Sequence, residues 1–256
     1  MGLLGDLFRR SKTSETSGGA PSSPLLDWMK VDIHNHILPG IDDGSPDVET
    51  SLQFLRKYHE LGISTVVATS HIRHPLFPND KGTIREAYER LESAPGRNEI
   101  PVRLLHSAEY FIDDHFLDLV MRDEVMPFGG GYVLAELSLS NRSYLDMEQI
   151  AGQLIDREFR PILAHPERYL YWSKSPEMFH RLKSYGWSLQ LNLMSLAGYY
   201  GKIEQKVATT LLQEGLIDFV GTDIHRLSHF DVVRSIDKEL LETLKQTYLI
   251  NKLLTI

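Results

Sequence analysis

The chain has 256 residues, is 42% hydrophobic, carries a formal net charge of −8 and contains no cysteine. That length can bury a full core in one α/β domain. The acidic balance excludes a global basic field for nucleic acid or anionic membrane, and the missing thiols exclude disulfides, thiolate metal sites and cysteine nucleophiles. A cysteine-free chain also fits a reducing compartment, so a cytoplasmic location is expected. No apolar run approaches the roughly 18–20 residues of a transmembrane segment.

Residues 1–24 read as a flexible N-terminal tail and residues 25–256 as the folded domain. Residues 11–24, "SKTSETSGGAPSSP", are small, polar and turn-forming, as linkers are. The opening "MGLLGDLFRR" has no basic stretch before its apolar segment, so a secretory signal is not expected. Its Leu3, Leu4, Leu7 and Phe8 fit a frayed tail better than a docking peptide.

The first predicted strand, Val31–His36, ends in His34 and His36, which alternate and so share one side. Pro39-Gly40 and Asp42-Asp43-Gly44 then read as turns. In "SPDVETSLQFLRKYHELG" Ser45 is the expected cap, Pro46 the first helical residue and Gly62 the stop. Further strands are expected at Thr65–Ser70, Val102–Ser107, Tyr132–Leu137, Pro161–Ala164, Ser188–Leu193 and Phe219–Thr222. Helix-like stretches alternate with them, among them "MEQIAGQLIDREF", "PEMFHRLKSYG" and "KIEQKVATTLLQEG". Seven β-then-α units predict a parallel sheet closed, or nearly closed, into a barrel.

The acids and imidazoles fall at the ends of those strands. His71 follows the second, Glu109 the third, Glu136 closes the fourth, His165 follows the fifth, and Asp223 and His225 follow the seventh. Strand C-termini of an α/β barrel converge on one face. These side chains should therefore meet at one mouth, with Asp43 arriving from the first loop. Burying so many carboxylates and imidazoles without cations would cost several kcal/mol or more per unpaired charge. Two or three divalent ions resolve that cost. His59, His74, His106, His115, His180 and His229 do not share the register and are expected on the surface or in the core, with His74 the one that comes closest to substrate.

Together "DIHNHILPGIDDG", "TSH", "SAEY", "LAEL", "AHPER" and "GTDIH" resemble the PHP (polymerase and histidinol phosphatase) superfamily. They are most similar to its capsule-biosynthesis branch of metal-dependent protein-tyrosine phosphatases. The resemblance implies a distorted (β/α)7 TIM-like barrel with three divalent metal ions, manganese by precedent, with iron or Zn²⁺ compatible with the ligands. It implies that His34, His36 and Asp223 hold one ion, with Glu109 bridging to a second completed by Glu136 and His165. Asp43, His71 and His225 would hold the third; spacing from the histidine pair favours Asp43 over Asp42, which would then lie behind the ligands or face solvent.

The implied substrate is a phosphotyrosine protein, a bacterial tyrosine kinase controlling capsular or exopolysaccharide synthesis. In-line attack by metal-activated hydroxide needs no phosphoenzyme. Arg168, three residues past His165, is placed to bind phosphate as a bidentate donor, and Arg73 and Arg226 sit just beyond ligands as further candidates. Tyr110, Phe111, Tyr169 and Tyr199 are candidates to flank an aryl ring, although core packing suits each of them better. The competing readings are a small-molecule enzyme such as histidinol-phosphate phosphatase, and an inactive metal-binding scaffold. A nucleic-acid exonuclease role is disfavoured because no basic track is visible.

Overall fold

In a computed structural model the described residues are 24–141 and 145–254. The expected tail, residues 1–24, lies outside them except for Pro24. Seven strands, β1 (Val31–Asp32), β2 (Thr65–Ile72), β3 (Arg103–Phe111), β4 (Tyr132–Glu136), β5 (Arg160–Ala164), β6 (Ser188–Asn192) and β7 (Phe219–Gly221), form one parallel sheet in sequence order. The helices between them are α1 (Val48–Leu61), α2 (Lys81–Glu92), α3 (Asp114–Met121), α4 (Met147–Ile155), α5 (Glu177–Ser184), α6 (Leu193–Leu196) and α7 (Lys202–Gln213). After β7 come α8 (Leu227–Arg234) and α9 (Lys238–Gln246). None of these helices is long and apolar enough to cross a membrane.

The first helix starts differently from the expectation. Asp47 is its cap, accepting from the Thr50 amide at 2.8 Å. Ser45 is buried instead, and its hydroxyl donates to the Asp47 carbonyl at 2.9 Å. An acidic cap at N-cap satisfies a free helix N–H and the dipole at once. Gly62 ends the helix at φ 88°, as expected, in the left-handed conformation that glycine adopts without strain.

Strands β2 and β3 run further than the sequence suggested, so that His71 and Glu109 lie within them and pair in register. Alternate residues of a strand share a face. On that face β2 passes from Val67 through Thr69 to His71, β3 from Leu105 through Ser107 to Glu109, and β4 from Leu134 to Glu136. Val67, Leu105 and Leu134 belong to a small apolar cluster with Ile33, Ile162 and Phe219. The barrel interior is thus apolar at one end and polar at the other. The larger cluster, between sheet and helices, carries Phe54, Tyr58, Trp187 and Leu189.

Between β1 and β7 the ring closes without a regular ladder. β1 is only two residues long rather than the expected six, because its continuation bonds irregularly: the Asp223 amide donates to the His34 carbonyl and His36 to Ile224. Below that point buried side chains span the seam. Asp32 accepts from the amide and hydroxyl of Thr222 at 3.0 and 2.6 Å. Asn251 donates to the carbonyls of Val31 and Val220, both at 2.9 Å, and accepts from the Val220 amide at 2.8 Å.

Candidate metal centre

All nine side chains expected as ligands converge at the polar end of the barrel. Four groupings have donor atoms mutually within 4.8 Å: His34–His36–Asp223, His34–Glu109–His165, His71–Glu109–Glu136, and His36–Asp43–His71–His225. Glu109 sits at the middle. Its Oε1 is 3.2 Å from Nε2 of both His34 and His165, and its Oε2 is 3.1 Å from His71 Nδ1. Asp43 lies apart with its Oδ1 3.3 Å from His225 Nε2 and 3.6 Å from His71 Nε2.

Three imidazoles are oriented by bonds from behind. Nδ1 donates to Gln190 Oε1 in His34 (2.7 Å), to Asp42 Oδ2 in His36 (2.9 Å) and to the Asp223 carbonyl in His225 (2.9 Å). A proton fixed on Nδ1 leaves the Nε2 lone pair facing the centre, the tautomer that ligates a cation. Asp42 is therefore the orienting carboxylate and Asp43 the one that faces inward, as the spacing suggested. Asp42 also accepts from the amides of Gly44 and His71.

Local backbone constraints explain the motif residues. A Cβ on Gly44 would lie 2.1 Å from the His36 carbonyl oxygen, so the Asp-Asp-Gly turn can fold back only with glycine there. One on Gly221 would meet His34 at 2.6 Å. His165 and Asp223 adopt left-handed φ of 34° and 53°, a conformation costly for such residues and concentrated at functional sites.

The donor set fits divalent ions. Ten buried side-chain polar atoms lack a hydrogen bond among the described residues, and six belong to expected ligands: His34 Nε2, His36 Nε2, His71 Nδ1, Glu109 Oε2, Glu136 Oε1 and His165 Nδ1. A lone pair held against a carboxylate at these distances is repulsive unless a proton or cation lies between them. Burial opposes charge on His34, yet Glu109 and Asp223 outweigh it and push the imidazole up to about 9. Burial and the neighbouring Glu109 hold the Glu136 carboxyl well above the usual range. Burial, reinforced by His36, pushes His71 down to about 4. Neighbouring groups driven in opposite directions mark a site built around a charge supplied from outside.

The centre opens into a cleft of about 340 Å³. Arg168 reaches it, but not through the Glu167 pair that its neighbour offers. Its Nη1 donates to Asp223 Oδ2 at 3.1 Å and its guanidinium lies 4.1 Å from the Tyr200 ring centre. Glu167 instead turns inward, accepting from Ser195 and Asn192. Arg73 lines the cleft with its guanidinium 4.3 Å from the Phe111 ring, and Arg226 lines it too. Tyr110 and Tyr169 are buried, each hydroxyl bonded to backbone. Tyr199 is 48% exposed and lines the cleft beside Leu76, Phe77 and Leu139.

Among the cleft residues that were not expected, His229 and Tyr200 touch the cluster. His229 accepts from the His225 amide through Nδ1 and reaches Tyr199 through Nε2, both at 3.2 Å. Tyr200 donates to Asp223 and accepts from Asn192. Gln190 and Asn192, two apart at the end of β6, repeat the spacing of His34 and His36 and were the available signal for this side of the mouth. His74 lies outside the cleft, its ring 4.2 Å from that of His115.

A seven-stranded β/α barrel with this imidazole–carboxylate mouth defines a PHP-type protein. A family model described as capsular polysaccharide synthesis, CpsB/CapC, matches residues 30–240. The chain belongs to that family. Tyrosine-protein phosphatase YwqE of Bacillus subtilis is 31% identical over 198 residues, which cover 77% of this chain and 78% of the relative. Tyrosine-protein phosphatase CpsB of Streptococcus pneumoniae is 26% identical over 203 residues, covering 77% and 83%. The crystal structures of YwqE and CpsB, described as metal-dependent tyrosine phosphatases, include a chain that superposes with a TM-score of 0.74 at 27% identity, covering 87% of this chain and 90% of that one. A histidinol phosphate phosphatase from Lactococcus lactis has a TM-score of 0.54 at 12% identity and shares the fold.

Proposed function

We propose that this chain is a metal-dependent protein-tyrosine phosphatase acting in the cytoplasm on a bacterial tyrosine kinase of capsule or exopolysaccharide synthesis. The observation that carries the reading is the set of buried donor atoms without a hydrogen bond on five expected ligands at the barrel mouth: His34 Nε2, His36 Nε2, His71 Nδ1, Glu109 Oε2 and Glu136 Oε1. Three divalent ions, with manganese favoured over iron or Zn²⁺, would be held as the resemblance implies. His34, His36 and Asp223 would bind the first, Glu109 would bridge to a second held by Glu136 and His165, and Asp43, His71 and His225 would bind the third. When bound, the ions supply Lewis acidity to phosphoryl oxygens and make water a nucleophile near neutral pH.

The protein's own groups supply position and charge. Arg168, anchored on Asp223 and Tyr200, presents its remaining N–H donors to the cleft, where two parallel bonds can fix a phosphoryl group. Arg73 and Arg226 add positive charge along the rim. Leu76, Phe77, Leu139 and Tyr199 give the cleft lining apolar surface suited to an aryl leaving group. A phenolate leaves more readily than an alkoxide, so less acid assistance is needed. Apolar lining of this kind favours an aryl phosphate over a small polar one.

The test compares phosphate release from a phosphotyrosine peptide and from histidinol phosphate by Mn²⁺-loaded protein. Release from the peptide is expected. Release from histidinol phosphate alone overturns the assignment.

A further inference from the structure

A second surface feature is lined by residues that follow those of the cleft in the chain. A groove of about 550 Å³ lies between α5 and α7, with Phe179, Val207 and Leu211 in its floor and Ile203, 55% exposed, at its edge. Lys174, Lys202 and Lys206 also line it, all exposed, and none makes an ion pair or side-chain hydrogen bond among the described residues. The acidic residue in the lining is Glu214 at the far end, paired with His180 at 3.4 Å. An uncompensated lysine rim on a chain of net charge −8 is a local reversal of the surface field.

Its position ties it to the cleft. One wall, Ser173 and Lys174, follows Arg168 by a few residues, and the other, Lys202, directly follows the Tyr199–Tyr200 segment that lines the mouth. The lining of α7 runs from Lys202 to Glu214, about 18 Å at 1.5 Å per residue. An extended peptide advances about 3.3 Å per residue, so roughly five residues fit that length.

We infer that this groove binds the residues flanking the phosphotyrosine of the protein substrate, and that it selects a flank combining acidic and apolar side chains. The inference rests on the phosphatase reading for the occupant of the neighbouring cleft. The apolar floor would take alternate side chains, and Lys174, Lys202 and Lys206 would meet carboxylates between them.

The test uses full-length protein and fluorescein-labelled phosphonate peptides that cannot be hydrolysed, one with Glu/Leu-rich flanks and one with Lys/Ser-rich flanks, followed by anisotropy. The acidic peptide should bind roughly tenfold more tightly, and K202E/K206E should remove that preference. Added salt should weaken the acidic peptide more than the other, since both share the phosphonate's contacts in the cleft. In parallel, Mn²⁺-loaded K202E/K206E should hydrolyse para-nitrophenyl phosphate with unchanged kcat and KM. Equal binding of both peptides, or a preference that survives both K202E/K206E and I203S, overturns the inference while leaving the phosphatase reading intact. Lysine-dependent peptide binding without hydrolysis of any aryl phosphate overturns the phosphatase reading instead, and the groove stands as a binding surface.

Discussion

Asn251→Ala tests how the barrel is closed. The carboxamide makes three bonds across the β1–β7 seam, at 2.8, 2.9 and 2.9 Å, and Asn251, Val31 and Val220 are all buried. Truncation leaves one amide and two carbonyls without these partners and opens a small void. A lost bond that strands a buried group costs about 1–3 kcal/mol. Three bonds at the lower end of that range give about 3 kcal/mol, allowing for partial relaxation. For a domain of this size about 1 kcal/mol moves Tm by about 2–4 °C, so the expected drop is about 6–12 °C. Thermal unfolding followed by circular dichroism measures it, and hydrogen exchange of the Val220 amide should accelerate by itself. A drop below about 2 °C would refute the reasoning. The seam would then be held by Asp32, Thr222 and the backbone bonds above them.

His36→Ala and Asp223→Ala should each lower metal content and abolish phosphate release; normal stoichiometry by elemental analysis in both would reject the centre. Arg168→Ala should raise KM for phosphotyrosine peptide about tenfold or more, through loss of charge-assisted bonds, and unchanged constants would make the residue structural. Gly44→Ala should destabilise the first loop and reduce metal binding, since the added Cβ meets backbone rather than a movable side chain. His106, half-buried beside Tyr88, is pushed below its ordinary value by burial. A depressed imidazole favours the fold while neutral, so stability should fall as pH drops below about 6.5. His106→Gln should flatten that part of the pH profile relative to the parent, and parallel profiles would count against it.

The strands were legible because buried parallel strands read as short β-branched runs, and six of the seven were placed within a few residues. β2 and β3 were cut short because a histidine or glutamate looks like a strand end, whereas here it is an inward position within the strand. The convergence of the nine candidate side chains was legible for the same reason: the residues that are polar against their register are the ones that meet. The supporting groups were not. Tyr200, His229 and Asn251 act through partners far away in the chain or across a loop, and nothing in their immediate sequence marks them, while Gln190 offered only its two-residue spacing from Asn192. The Ser45 cap failed because two capping residues two positions apart, Ser45 and Asp47, compete, and the one with a buried alternative partner loses.

The crowding of Glu109, Glu136 and Asp223 against five imidazoles has a consequence beyond chemistry. An end of the barrel that is poorly balanced by itself makes ion binding part of the folding free energy. Occupancy at a hundred times the dissociation constant contributes about 2.7 kcal/mol for one site, and several sites share this mouth. With the proposed ions, the amount of folded protein would track metal supply. Scarcity would then be felt as fewer surviving molecules before it was felt as slower turnover.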